Sequence, residues 1–231
     1  MAELYREGPA CPADARYEVR RAAATREDLL AGATGAWADA LAIRWGPARF
    51  ETRFQALWTG EALAVRFDAR DDAPWHTYRD RDDPLWEEEV VEIFLDVTGR
   101  GLDYAEIEIS PANVVCDLHV ATPWPSLRSD RAWDWDGLET RVLRPGSDGD
   151  SGGDWCATAW LPWAGLRSLF PGAAEYVPPR PGAAWRFNVF RIKRPGGPQD
   201  PERGAIYAAW SVPPEAPSFH VPAAFRAFVF R

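Results

Sequence analysis

Residues 83–96 read DPLWEEEVVEIFLD. Side chains of a strand point alternately to opposite faces, so Val91, Ile93 and Leu95 share one face, and Val90, Glu92, Phe94 and Asp96 the other. The segment DYAEIEIS (103–110) sorts the same way, with Ala105, Ile107 and Ile109 opposed to Tyr104, Glu106 and Glu108. If both apolar sets turn to a core, Glu92, Glu106 and Glu108 share the outer face, where like charges across strands repel. Arginine, a metal ion or water has to compensate. The segment AWRFNVFRIK (184–193) offers Arg186 or Arg191, depending on which of its faces turns inward.

The same pattern runs outward along the chain. Alternating stretches occur at 17–22, 50–58, 62–70, 89–96, 103–110, 113–121, 138–143, 154–161, 184–193, 205–210 and 226–231. Eleven short strands separated by turn residues predict an all-β protein of two packed sheets. The expected architecture is a single-domain antiparallel β-sandwich over 1–231, jelly-roll or immunoglobulin-like, with the first ~16 residues an extension. One short helix is expected at 162–170, opened by Pro162 near its first position and closed by Pro171-Gly172. Thr25 reads as the N-cap of a turn with Asp28 at N3, and the Gly/Ser/Asp-rich 144–154 segment reads as a mobile loop.

Composition narrows the function. A net charge of -9 without a basic run argues against binding a nucleic-acid backbone. No run reaches the roughly 20 apolar residues of a membrane span. Three cysteines without CxxC spacing and an N-terminus without an apolar signal core point to a reduced, cytoplasmic setting. Thirteen tryptophans are too many for one site, so several must be core. Trp155, Trp160 and Trp163 read as packing, whereas Trp124, Trp133 and Trp135 could rim a cleft or cap the sandwich.

RDDPLWEEEVVEIFLD, then YAEIEISP, WRFNVFRI and YAAWSVPPEAPSFHVPAAFRAFVF, together resemble a family 9 carbohydrate-binding module-like protein of the DOMON-like β-sandwich superfamily. The resemblance runs from about residue 17 to the end. It implies non-catalytic binding of a saccharide, such as the reducing end of a glucose- or xylose-type sugar, between two aromatic side chains. Trp86 would be the first platform and Glu92 the hydroxyl partner, with Glu87 to Glu89 mostly solvated. Phe219 would be the opposing aromatic and Trp210 its less favoured substitute. Arg191 and His220 would add polar contacts. No cofactor is required. Members can hold structural calcium, for which Asp71, Asp72, Asp82 and Asp83 are candidate ligands, although such loops are more often simply solvated.

Two other functions compete. A glycosidase would use Glu92, Glu106 or Glu108 as an acid and base pair about 5–9 Å apart. A haem protein of this superfamily would need two of His76, His119 and His220, because Met1 is the one methionine.

Overall fold

The computed structural model describes residues 4–5, 11–144, 153–214 and 218–231. The expected mobile loop therefore falls, over 145–152, outside the described residues. Every one of the eleven alternating stretches carries a strand. Three further strands are too short to show an alternation. They are β1 (Leu4–Tyr5), β3 (Ile43–Trp45) and β9 (Arg128–Asp130). The others in the first half are β2 (Arg16–Arg21), β4 (Thr52–Trp58), β5 (Ala62–Ala69), β6 (Val90–Asp96), β7 (Tyr104–Ile109) and β8 (Val115–Thr122). The second half adds β10 (Glu139–Leu143), β11 (Trp155–Pro162), β12 (Ala184–Lys193), β13 (Ile206–Ala209) and β14 (Arg226–Phe230).

The strands follow the order β10-β11-β5-β4-β2-β14-β12-β6-β7-β8-β9, with β3 beside β4, and β13 between β12 and β1. The sheet is mixed rather than wholly antiparallel as expected. β2 runs parallel to both β4 and β14, and β1 parallel to β13. Parallel neighbours need long connections, and the direction of such a distant pairing leaves no trace in local alternation. β1 also draws part of the presumed extension into the sheet.

The two halves of the sheet face each other across a shared core. Phe54 of β4 lies 6.0 Å, centroid to centroid, from Phe187 of β12, and Tyr17 of β2 lies 5.6 Å from Phe54 and 5.7 Å from Phe228 of β14. Val91, Ile93, Leu95, Ala105, Ile107 and Ile109 all belong to this core, as the alternation predicted. The outer face of one half is covered by α1 (Arg26–Leu30) and the turn that follows, with Leu29, Leu30 and Trp37 packed over Leu57, Ala64 and Trp160. Thr25 caps α1 as expected, its hydroxyl oxygen accepting the Asp28 N–H at 3.2 Å. α2 is only Trp163–Leu166, and Pro162 is its cap rather than its first residue. Trp155, Trp160 and Trp163 are buried packing residues.

The outer face of the other half, formed by β12, β6, β7 and β8, carries a separate apolar cluster that includes Phe94, Tyr104, Phe190 and Phe219. Loops 75–87 and 218–225 lie over it. Among the described residues no helix is long and apolar enough to cross a membrane.

Candidate functional site

A cavity of about 440 Å³ opens on that second outer face. Its floor is the sheet itself. Glu92 and Phe94 of β6, Glu106 of β7 and Ile192 of β12 line it from below, and Trp86, Trp124, Tyr207, Phe219 and His220 line its sides.

Strand register builds the floor. Glu92 stands opposite Glu108, and Phe94 opposite Glu106, across β6 and β7. Phe190 stands opposite Glu92 on the other side. All three glutamates are buried, at 1 %, 4 % and 0 % exposure for Glu92, Glu106 and Glu108. One carboxylate oxygen from each lies within 4.8 Å of the other two. Burial raises all three carboxyls, Glu106 to about 7 and the other two well above their usual range, and repulsion from neighbouring carboxylates adds to the rise at Glu92 and Glu108. Neither arginine proposed to offset them does so. Arg186 is exposed near the far end of β12, and Arg191 points to the opposite face.

The walls are aromatic. Trp86 sits in a short turn (Leu85–Glu87) at the entrance to β6 and is 37 % exposed, with the Arg131 guanidinium 5.7 Å from its ring. Phe219 stacks on Phe190 at 4.3 Å, so one of its faces is already used by the sheet cluster. The His220 ring stacks on Phe94 at 5.0 Å, and its Nδ1 lies 3.0 Å from the Tyr104 hydroxyl. Burial lowers His220 to about 4, so the ring is neutral. Its Nε2 approaches Glu106 only to 3.9 Å, too far for a hydrogen bond, and supplies no positive charge.

Of the sequence-derived site residues, Trp86, Glu92, Phe219 and His220 converge on this cavity. Arg191 and Trp210 do not. Arg191 pairs in register with Val91, so it faces the sandwich interior, where it donates to Asp71 at 2.5 Å and to the Arg70 carbonyl at 3.1 Å. Trp210 packs against Phe187 at 5.1 Å on that same interior side. Asp71 is thereby taken up by a buried network, bonded also to Lys193 at 2.7 Å, and Lys193 in turn to Glu89 at 2.6 Å.

The remaining aspartates do not join Asp71. Asp72 pairs with Arg49, and Asp83 accepts the Arg79 and Asp80 N–H groups. Asp82 groups instead with Asp117 and Asp134, around Arg81. Glu88 and Glu89 are buried rather than solvated. Glu88 accepts the Thr77 N–H at 2.7 Å, because loop 75–87 folds back onto it. Among the residues lining the site, Trp124, Arg194 and Tyr207 were missed or left open. Trp124, 40 % exposed, rims the cavity, tied to the His220 carbonyl by its own N–H at 3.1 Å. Arg194 holds the Trp86 turn by donating to its carbonyl at 2.9 Å. Trp135, with which Trp124 was grouped, is core.

The haem alternative fails on geometry. His119 pairs in register with core-facing Ala105 and bonds Asp103, whereas His220 lies on the opposite face and His76 is exposed in a loop.

No protein-family model and no curated protein matches the sequence. Solved structures do match in fold. A presumed carbohydrate-binding protein from Bacteroides uniformis is 15% identical with a TM-score of 0.69, over 94% of this chain and 99% of its own. A family 9 carbohydrate-binding module from Caldicellulosiruptor kristjanssonii, in complex with glucose, is 14% identical with a TM-score of 0.63, over 94% and 96%. A module of the same family and organism in complex with cellotriose is 12% identical, TM-score 0.60, over 94% of each chain. At these identities the likeness is one of fold.

Proposed function

We propose that this protein binds saccharides without transforming them, in the cavity above β6 and β7. The observation that carries this reading is the pairing of an exposed indole, Trp86, with a buried carboxyl, Glu92, across one apolar cavity large enough for a sugar ring. A pyranose has C–H faces that lie flat on indole and a rim of hydroxyls that needs hydrogen-bond partners. Trp86 is the stacking platform and Glu92 the rim acceptor. Phe219 and Trp124 offer further aromatic edges, and His220 a neutral polar one. The sugar complexes of two proteins with the same fold support the reading.

Glycoside hydrolysis fits the geometry less well. It requires two carboxyls flanking the scissile bond, and Glu92, Glu106 and Glu108 cluster together on one side, at the floor of the cavity. The test is titration of intrinsic tryptophan fluorescence with glucose, xylose, cellobiose and xylobiose. A saturable change is expected for at least one sugar, weakened at least tenfold in Trp86→Ala and in Glu92→Gln. Folded protein that binds none of them, or variants that bind as wild type does, would overturn the reading.

A further inference from the structure

The floor of the cavity holds a charge arrangement that a neutral sugar does not call for. Four carboxylate oxygens there, Glu92 Oε1, Glu106 Oε2 and both of Glu108, are buried and accept no well-formed hydrogen bond from a non-acidic group among the described residues, although Glu106 and Glu108 lie close enough to share a proton. Asp96, on the same face of β6, shows the contrast. It is equally buried, and it accepts N–H groups of Thr98, Gly99 and Gly101 at 2.7–3.0 Å. The fold can satisfy a buried carboxylate on this face with N–H donors and does so at the end of the same strand, yet it brings no such donor to the three glutamates among the described residues. Unpaired buried acceptors carry a large desolvation penalty unless a donor arrives.

No lysine or arginine among the described residues pairs with any of the three. The titratable groups that face them are Tyr104 of β7, Cys116 of β8, which stands opposite Glu108, and His220 from the covering loop. None is cationic. Arg194 reaches the cavity wall, but its guanidinium is engaged by the carbonyls of Trp86 and Glu88 and by Glu202.

We propose that the occupant of this cavity carries a protonated amine seated on Glu92, Glu106 and Glu108. An ammonium group has three N–H donors in a tetrahedral fan. Three acceptors at about 2.8 Å from its nitrogen stand about 4.6 Å apart, and the three carboxylate oxygens lie within 4.8 Å of one another. Phe94, Trp86 and Phe219 line the same cavity, and aromatic rings are favourable neighbours for a cation in a water-poor site. Joined to the saccharide reading, on which this identity rests, the ligand class is an amino sugar with a free amine.

The ligand also displaces protons. Burial keeps Glu92 and Glu108 protonated at neutral pH and raises Glu106 to about 7, where it is part-protonated. An incoming ammonium favours their ionised forms. Binding an amine therefore releases protons to the buffer, whereas binding a neutral sugar through protonated carboxyls does not.

Isothermal titration at pH 7 in phosphate and in HEPES, with glucosamine, N-acetylglucosamine, glucose and cyclohexylamine, reads affinity and proton release together. Glucosamine is expected to bind at least tenfold tighter than glucose and N-acetylglucosamine, with proton release. Glu108→Gln, which removes one of the three acceptors of the seat, should abolish both that preference and the proton release. Glucose binding equal to glucosamine binding without proton release would overturn the ammonium seat and leave the saccharide reading standing. Cyclohexylamine binding without any sugar binding would overturn the saccharide reading and keep the seat. Binding of calcium chloride alone, competing with glucosamine and lost in Glu108→Gln, would reassign the triad to a metal ion. Binding of none of the probes would overturn both.

Discussion

Replacing Glu106 by glutamine is expected to stabilise the protein above neutral pH and to leave its stability nearly unchanged in acid. Glu106 is 4 % exposed, and burial pushes its carboxyl from 4.5 to about 7. A folded-state value above the unfolded one means that the native chain holds the proton more tightly. Below 4.5 both states are protonated and no penalty applies. As pH rises, the unfolded chain releases its proton first, so stability falls until the native carboxyl ionises near 7. Beyond that the penalty stays constant at about 3 kcal/mol.

Glutamine keeps the shape of the side chain and cannot ionise. Urea unfolding of both proteins from pH 4.5 to 8.5 reads the difference, to which Glu92 and Glu108 add in the same direction because they lose the repulsion of Glu106 in the variant. With an m-value near ~3 kcal/mol/M, the midpoint of Glu106→Gln should rise by about 1 M at pH 8.5 and merge with wild type near pH 4.5. A wild type as stable as the variant at pH 8.5, or a difference that does not depend on pH, would refute the reasoning.

Arg191→Met should destabilise the protein by about 3–5 kcal/mol, since it strands Asp71 in a buried network. Ligand affinity measured on the folded variant should be unchanged, and a selective loss of binding would return Arg191 to the site. Phe187→Ala, which empties a fully buried position between Tyr17, Phe54 and Phe228, should lower stability by about 3–5 kcal/mol in the same urea assay. Trp124→Ala should do the opposite. With the indole 40 % exposed, stability should stay within about 0.5 kcal/mol, while sugar affinity falls roughly 3- to 10-fold by fluorescence titration.

Strand positions were legible because alternation is local. Each of the eleven alternating segments became a strand, and the parity of β6 and β7 placed Glu92, Glu106 and Glu108 on one face before any pairing was known. The entrance Trp86 and its carboxyl neighbour were legible for the same reason, and the SFHVP segment delivered Phe219 and His220 to the same cavity.

Other features lay beyond the sequence. Every residue of β6 is buried, and so are the last seven of β12, because loops cover the outer face as fully as the second half-sheet covers the inner. Where both faces are buried, alternation gives the parity of a strand but not which parity is core. Arg191 was therefore free to be assigned to either side until Val91 and Asp71 fixed it inward.

The sequence by itself determined where the chain is extended, which side chains travel together on a face, and that three acids would share one. The tertiary structure decided that these acids are buried rather than solvated, that no arginine among the described residues meets them, and that β2 joins the two half-sheets by parallel pairing. Alternation acts between residues two apart. Charge compensation and strand direction depend on groups brought together from distant parts of the chain, and only the closed sheet sets those distances.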